Sequence, residues 1–448
     1  MSDTPKIVEM QVIPVAGHDS MLLNIAGAHH CYFTRILLVL KDSAGHTGVG
    51  ESPATGVVLK ILNDAIPHIV GQEIGKMNQL VSDLHKRDLD EHARPAPVLP
   101  GFRPWDLERH HNAVAVLETA LLDLMGQHLG QPVAQLLGPG KQRDEVPVLG
   151  YLFYIADRQK TDLAYLEGKA QAGQHPWYHL RHQEAMTHEK VVQLAEAAQD
   201  KYGFRDFKLK GGVQAGEIEI DTVRALKRRF PQARITVDPN ASWSLEQAIS
   251  LCKGMHGILS YVEDPCGAEQ GFSGRETLAE FRRATGLPVA TNMIANDWRQ
   301  MSHALQLNAI DIPLADPHYW SMRGANTIGT LCNAWGLTLG CHSNNHFDVS
   351  LAMLAHLGAA APGEITPFDT HWIWQEGQHL TKNPLQIRDG KLALNDLPGL
   401  GVELDMDAVG IAHQRYNNLT QKDRDDAIAM QYLIQGWKFD GKRATLVR

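Results

Sequence analysis

The larger, C-terminal part of the chain alternates short apolar runs with longer segments of helical periodicity. Most of the apolar runs are followed by such a helical segment, an order that is typical of parallel β/α units. We predict eight strands, at residues 146–154, 206–210, 233–237, 259–262, 287–291, 309–314, 337–341 and 365–368.

The segments between these strands carry apolar residues on one helical face. Two faces are clear, one made of Val191, Leu194, Ala195, Ala198 and Tyr202, the other of Ile220, Val223, Leu226 and Phe230. Ser244 with Gln247, and Ser273 with Glu276, have the spacing of capping boxes, which favours a helix start at each serine.

Eight strands with about seven crossing helices favour a closed α/β barrel, and an open doubly wound sheet is the competing geometry. No G-x-G-x-x-G motif follows the first strand, which lowers that alternative. The polar stretch 155–186 is longer than most barrel loops, and we expect it to cover the active site. Residues 385–394 predict a hairpin about Asp389-Gly390, since this pair suits positive φ.

The first part of the chain mixes strands and helices without strict alternation. Apolar runs at 7–15 and 32–40 precede helical stretches, and the last of these, around 112–129, has a plausible stop at Gly130. We therefore predict an α+β capping domain at 1–145, the barrel at 146–395, and a C-terminal segment at 396–448 that returns to the capping domain.

Composition narrows the function class to small-molecule chemistry. The 448 residues include 44% hydrophobic and 21% charged ones, and the net charge is −9, which argues against a polyanion such as nucleic acid. Five cysteines without a C-x-x-C pair fit reduced thiols and favour the cytoplasm. With no apolar stretch of ~20 residues we expect no membrane span, and we also expect a homo-oligomer.

Two lysines end the second predicted strand, in the order Lys208-Leu209-Lys210. Side chains at i and i+2 point to the same side, about 6 to 7 Å apart, so both can enter the barrel mouth. We expect mutual repulsion of roughly 2 kcal/mol, together with burial, to lower the pKa of one lysine. That lysine could be a general base, while its neighbour stays charged beside an anion. A solvated strand edge is the alternative.

Oxygen donors follow the next strands around the predicted barrel. Asp238, Glu269 and Asn292 occupy adjacent sectors of one rim, and Glu263 is a fourth candidate. Hard oxygen ligands with open positions suit Mg²⁺. An Asp-Pro pair after a strand is often only a turn, so the combination carries the prediction.

His342 follows the apolar run of the seventh predicted strand, and Asp316 ends the sixth. A carboxylate bonded to one imidazole nitrogen fixes the tautomer and makes the other nitrogen a better base. With the lysine pair across the barrel, a substrate would meet bases on two sides. A metal with a lysine or histidine base on a barrel is a known pattern for removing a proton next to a carboxylate.

These motifs closely resemble the glucarate dehydratase family of the enolase superfamily. The resemblance runs over nearly the whole chain, through VIPVAGHDSML, DFKLKGG, RITVDPN, EDPCGAEQGFSGRE, ATNMIA, DIPLADPH, CHSNNHFD, DTHWIWQEG and MQYLI. It implies a (β/α)7β TIM-like barrel with an α+β capping domain, and Mg²⁺ held at Asp238, Glu269 and Asn292. It also implies Lys210 and His342 as bases, with Asp316 orienting His342.

The resemblance further implies that Lys208 steadies a substrate carboxylate. The remaining substrate contacts that it implies are His29, Tyr151, Asp238, Asn240, Asn292, His342, Ser343, Asn344, His371 and Arg424. In this family a base takes the C5 proton of D-glucarate or L-idarate, and loss of the C4 hydroxyl gives 5-keto-4-deoxyglucarate. Lys210 would take the proton from one epimer and His342 from the other.

Four departures point to the glucarate dehydratase-related branch of the family. Residues 51–56 replace a Pro-Gly-Gly turn, Pro104 stands where a threonine is expected, Asn344 replaces an aspartate, and Ala241-Ser242 replaces Gly-Ala. They put specificity and turnover in question rather than the chemistry. The alternatives are a dehydratase or epimerase for another aldarate, and a weakly catalytic partner of a true dehydratase.

Overall fold

The computed structural model describes residues 4–91, 109–169 and 173–447. Its first part is built on an antiparallel sheet in which the central strand is the most apolar. The sheet has the order β1-β4-β5, with β1 Ile7–His18, β4 Tyr32–Asp42 and β5 Thr47–Pro53, and a small hairpin of β2 Leu23–Asn24 and β3 Gly27–Ala28 lies between β1 and β4.

Four helices accompany this sheet. They are α1 Gly56–Ile69, α2 Met77–Glu91, α3 Arg109–Leu129 and α4 Val133–Leu136. The Thr55 side chain caps α1 by accepting from the Val58 amide, and Gly130, at φ 64°, follows the end of α3 as expected. Helix α3 lies directly on β5, because Gly48 and Gly50 leave no side chain between them.

A six-stranded parallel sheet forms most of the barrel. After β6 Glu145–Pro147, its strands are β7 Gly150–Leu152, β8 Asp206–Lys210, β9 Arg234–Asp238, β10 Leu259–Glu263, β11 Val289–Thr291 and β12 Ile312–Pro313, which pair in sequence order from β7 to β12. The strands predicted at 206–210, 233–237, 259–262, 287–291 and 309–314 thus coincide with β8 to β12.

The sheet closes into a ring through single parallel bridges. Leu314 pairs with Gly340, Leu339 with Ile365, and Val148 with Phe368, which returns to the first strand position. The strands predicted at 337–341 and 365–368 are therefore reduced to bridges. Pro367 lacks the N–H that a longer ladder would need.

Helices lie between successive strand positions. They are α5 Trp177–Leu180, α6 His188–Tyr202, α7 Gly216–Arg229, α8 Leu245–Cys252, α9 Gly274–Thr285, α10 Trp298–Gln306, α11 Pro317–Trp335, α12 Asp348–Ala360 and α13 Trp372–Gln375. The predicted apolar faces of α6 and α7 are buried. Ser273 and Glu276 form a complete capping box, while Ser244 supplies the side-chain half of one to the Gln247 amide.

The first predicted strand, 146–154, divides between two sheets. Its start, β6, joins an antiparallel sheet with β13 Ile387–Arg388 and β14 Lys391–Ala393. The turn of that hairpin has Asp389 at φ 50° and Gly390 at φ 70°, which confirms the predicted Asp-Gly turn.

The end of the chain packs on the capping domain. In α14 Met406–Asn418, His413 and Arg415 contact the carbonyls of Pro14 and Ala16 in β1, and α15 Asp426–Leu433 contacts β3. No helix in the described ranges is both long and apolar enough to cross a membrane.

We predict that Gly50→Ala destabilises the protein, because a Cβ there would lie 2.6 Å from the Val116 carbonyl oxygen of α3. Overpacking of this kind costs about 1–3 kcal/mol. Gly56→Ala is the matched control, since nothing lies within 4 Å of its Cβ position and alanine favours a helix. Thermal unfolding of both variants checks this, and equal midpoints would contradict the close packing.

Candidate active site

The two lysines of β8 enter the barrel mouth side by side, as their spacing predicts. Lys208 is fully buried, with its Nζ 2.7 Å from Asp369 Oδ2 and 2.5 Å from Glu263 Oε2. Lys210 Nζ lies 2.6 Å from Asp238 Oδ2. The ring of Tyr151 covers both ammonium groups, at 4.5 Å from Lys208 and 5.9 Å from Lys210.

The environment of Lys208 corrects one expectation. Burial opposes its charge, but the carboxylates of Asp369 and Glu263 outweigh burial and raise the pKa of Lys208 well above its usual value. Repulsion between the two lysines does not govern Lys208, because carboxylates surround it. Lys208 is therefore held in its charged form by the carboxylates beside it.

Three oxygen-bearing residues share the rim beside these lysines. The register of β9 and β10 pairs Val237 with Val262, which sets Asp238 next to Glu263. The register of β10 and β11 pairs Glu263 with Ala290, two residues before Asn292. Among the residues that the structure describes, buried Asn292 Oδ1 has no hydrogen-bond partner, and the Glu263 oxygens have none beyond the Lys208 ion pair. Asp264 accepts from the Asn292 amide and fixes that position.

Glu269, the other glutamate candidate, has a backbone partner. Its Oε2 accepts from the Leu245 amide at the start of α8, 3.1 Å away. Across the ranges the structure describes, no three His, Cys, Asp or Glu side chains are by themselves arranged to hold a metal ion. A metal at this rim would need the amide oxygen of Asn292 with the carboxylates.

The predicted histidine and aspartate pair is formed. His342 Nδ1 lies 3.1 Å from Asp316 Oδ2, and both residues are buried. Asp316 is also the N-cap of α11, accepting from the His318 amide. Burial alone would raise the pKa of Asp316, but its contacts with His318 and His342 hold it far below its usual value. Asp316 is therefore a carboxylate, which can accept a hydrogen bond from His342 Nδ1.

A cavity of about 640 Å³, including its open mouth, joins the lysine side to the histidine side. Nine predicted residues line it, namely His29, Tyr151, Lys210, Asn240, Asn292, His342, Asn344, His371 and Arg424. Lys208, Asp238, Asp316 and Ser343 are not among its lining residues. Ser343 accepts from the His371 amide, so it positions the neighbouring wall.

The end of the cavity below the capping domain is basic and polar. Arg424 forms a two-point ion pair with Asp426, and His29 Nδ1 lies 2.7 Å from Asp19. Burial, followed by the charges of His29 and other nearby histidines, lowers the pKa of His371 well below its usual value. His371 is therefore neutral, and its buried Nδ1 has no partner.

The stretch 155–186 braces this end instead of lining the cavity. None of its described residues is a lining residue, while the Tyr165 hydroxyl donates to the His29 carbonyl. The stretch thus supports the loop that carries His29.

Residues at which the chain departs from the family pattern have defined contacts or backbone conformations. Asn344 donates to the Tyr319 hydroxyl at 3.0 Å, and Ala241, at φ 59°, follows Asn240 at φ 52° in a left-handed turn. Glu51 is fully buried and pairs with Arg35. Pro104 lies outside the described residues.

Sequence reasoning missed several residues of the site. Asp369 follows the eighth strand position in the same way that Asp238 follows the third, a signal that was available. The other missed residues line the cavity: Asn24, Phe153, Met293, Asn296 and Tyr319. Phe153, Met293 and Asn296 lie in loops, where no periodicity marks them. Asn24 ends the short strand β2, and Tyr319 lies in the first turn of α11.

A capped parallel barrel with a lysine pair, a histidine–aspartate pair and an acidic rim at its mouth defines an enzyme scaffold for proton transfer next to a carboxylate. Two family models match the chain. The model described as "Mandelate racemase / muconate lactonizing enzyme, N-terminal domain" matches residues 22–138, and "Enolase C-terminal domain-like" matches residues 190–408.

Individual relatives extend over nearly the full length. A protein of Streptomyces coelicolor described as "Probable glucarate dehydratase" is 34% identical over 96% of this chain and 97% of its own. An enolase of Pseudomonas fluorescens, solved with magnesium, potassium and tartrate, has a TM-score of 0.87 at 33% identity, covering 98% of this chain and all of its own, 100%. A Mycobacterium smegmatis enolase solved with tartrate has a TM-score of 0.86 at 33% identity. The match covers 99% of this chain and 100% of the enolase chain. The chain belongs to the enolase superfamily.

We predict that Lys208→Met lowers stability more than Lys210→Met. Removing Lys208 leaves three carboxylates, Asp369, Glu263 and Asp238, without the cation that they share, whereas Lys210 has one close carboxylate. Breaking a buried ion pair in this way costs roughly 3–5 kcal/mol.

Thermal unfolding in a chelating buffer compares the two variants at one pH. Equal midpoints for Lys208→Met and wild type would contradict the charge balance described for β8.

Proposed function

We propose that the protein is a magnesium-dependent dehydratase of aldarates, which converts D-glucarate and L-idarate to 5-keto-4-deoxyglucarate. The observation that carries the proposal is one cavity lined by two bases, Lys210 and His342, beside an acidic rim. β8 is the second position of the eight-membered ring and His342 follows the seventh. The two bases therefore approach a bound substrate from different sides.

In the proposed reaction, Lys210 or His342 takes the C5 proton, which lies next to a carboxylate. Negative charge develops on that carboxylate, and the Lys208 ammonium stabilises it electrostatically. His342, as imidazolium, protonates the C4 hydroxyl as it leaves as water. The resulting enol becomes the ketone, so that the reaction needs no oxidant or reductant.

The rim residues fit a magnesium ion. Asp238 and Asn292 would hold it, with Glu263 or Glu269 as the third ligand, and the unpartnered Asn292 oxygen supports this use. Oxygen ligands of this kind suit Mg²⁺, and a bound divalent ion supplies positive charge where the substrate becomes negative. We give the third position to Glu263, because the strand register sets it beside Asp238, although its Oε2 also lies 2.5 Å from Lys208 Nζ, while Glu269 Oε2 accepts from the Leu245 amide.

The far end of the cavity supports a substrate with a second carboxylate. Arg424 and His29 line it, and Arg424 keeps Nη1 outside its two-point ion pair with Asp426, so that this nitrogen can donate to a carboxylate. Two structural relatives at 33% identity contain tartrate, a hydroxylated dicarboxylate of the same chemical kind.

The direct test is a screen of aldarates with Mg²⁺ present and absent, which detects the 2-keto product with semicarbazide. Dehydration of D-glucarate or L-idarate supports the proposal. Proton NMR in deuterated buffer separates the alternatives, because an epimerase returns labelled substrate with no keto product. If no aldarate gives a keto product or takes up deuterium, both the dehydratase and the epimerase proposals are rejected.

We predict that Lys210→Ala and His342→Gln each lower kcat for dehydration by roughly 10² to 10⁴, because each removes an acid or base at the reacting carbon atoms. The two variants should differ in which epimer still exchanges its C5 proton. Full dehydration of D-glucarate by His342→Gln would contradict the role given to His342.

For the metal we predict that Glu263→Gln weakens Mg²⁺ binding strongly, by about 10- to 100-fold, while Glu269→Gln changes it little. Both substitutions keep side-chain size and remove one charge, so each controls for the other. Isothermal titration with Mg²⁺ measures the dissociation constants. A large loss in Glu269→Gln alone would instead make Glu269 the ligand.

A further inference from the structure

Asp316 is shared between two histidines. Its Oδ2 accepts from His342, while its Oδ1 accepts from the His318 side-chain Nδ1 at 2.7 Å and from the His318 amide at 2.9 Å. The carboxylate therefore has one oxygen committed to His318 before His342 contacts the other.

The protonation of His318 follows from its remaining contacts. Its Nε2 lies 2.9 Å from Arg35 Nη2 and 2.8 Å from Ser350 Oγ. A guanidinium can only donate hydrogen bonds, so Nε2 must accept. His318 is thus a neutral imidazole with its proton on Nδ1, directed at Asp316.

Arg35 is itself fixed from the capping domain. Its Nε donates to Glu51 Oε1 at 2.8 Å, and Glu51 also accepts from the amides of Phe347 and Ser350 at the start of α12. Arg35 and Glu51 are essentially buried. The donor to His318 Nε2 therefore has a single position, which prevents the imidazole from turning over.

We propose that His318 is a positioning residue for the base His342 and acts through Asp316. Two donors from His318 hold Oδ1, so the carboxylate plane is fixed and Oδ2 lies where it orients His342. Without them Asp316 can rotate and His342 loses its alignment with the substrate. This proposal rests on the proposed function, because it concerns proton removal by His342.

The experiment uses a matched pair of amides. The amide nitrogen of asparagine lies near the Nδ1 position of histidine, whereas that of glutamine lies near Nε2, so only His318→Asn can keep a donor to Asp316. His356→Phe is the control, because His356 is also fully buried and contacts the Ala134 amide, far along α12 from the site.

The experiment measures C5 proton exchange in deuterated buffer, with each epimer separately. The epimer served by His342 is defined as the one whose exchange His342→Gln abolishes. We expect His318→Gln to slow exchange of that epimer at least tenfold relative to the other epimer. We expect His318→Asn to stay within threefold of the wild-type ratio. In His356→Phe both epimers should keep the wild-type ratio, whatever the loss of stability.

Equal slowing of both epimers in His318→Gln would overturn the proposal, since a merely structural role affects both bases alike. An equal loss in His318→Asn and His318→Gln would overturn it too. If His318→Gln does not fold, ¹⁵N NMR of histidine-labelled wild-type protein decides, with the His318→Asn spectrum providing the assignment. A His318 imidazole protonated on Nε2 would then reject the proposal.

Failure of the proposed function gives a different result. If wild-type protein neither exchanges the C5 proton of either epimer nor forms keto product from them, the dehydratase proposal is wrong, while the ¹⁵N signal still reports whether His318 donates to Asp316. The two proposals therefore fail separately.

Discussion

The charge balance around Lys208 is the constraint on which the barrel mouth depends. An ammonium with no solvent exposure is stable only because Asp369 and Glu263 lie within 3 Å of it and Asp238 lies at 3.7 Å. These partners end three different strand positions. The same contacts that keep Lys208 charged therefore set the relative heights of β8, β9 and β10 and the position of the closing segment. A site for charged intermediates is thus also a structural centre of the fold.

A second set of buried polar contacts joins the two domains behind the histidine side. Arg35 and Glu51 belong to the capping sheet, yet they bond to the start of α12 and to His318 of α11. The capping domain consequently contacts the barrel at a defined point as well as over an apolar surface. The two bases of the proposed reaction are held by different means, one by strand register and the other by a polar network that crosses the domain boundary.

Local patterns were sufficient to predict much of this architecture. β8 to β12 alternate with amphipathic helices, and Lys208, Lys210, Asp316 and His342 each follow an apolar run, so position along the chain indicates where they lie. The contacts Lys208–Asp369 and His318–Arg35 could not be predicted in this way, because their partners are 161 and 283 residues apart.

Glu269 shows the same limit on a smaller scale. Its position in the chain suits a rim ligand as well as Glu263 does, and only the three-dimensional structure shows its bond to the Leu245 amide. The eighth strand position was over-predicted for another reason. The run 365–368 contains Pro367, whose missing N–H interrupts a longer ladder, and the prediction weighed only the apolar character of the run.

The last turn of the chain has a bearing on how the protein is synthesised. Thr445 contacts the carbonyl of Asn24, which lines the cavity, and its backbone and hydroxyl both donate to the Gly212 carbonyl, two residues beyond Lys210. Arg424 reaches the same space from the C-terminal return. The roof of the cavity is thus completed by residues that are synthesised after Phe368, the last strand position of the barrel. The cavity is therefore complete only after the segment that contains Arg424 and Thr445 has been synthesised and has left the ribosome.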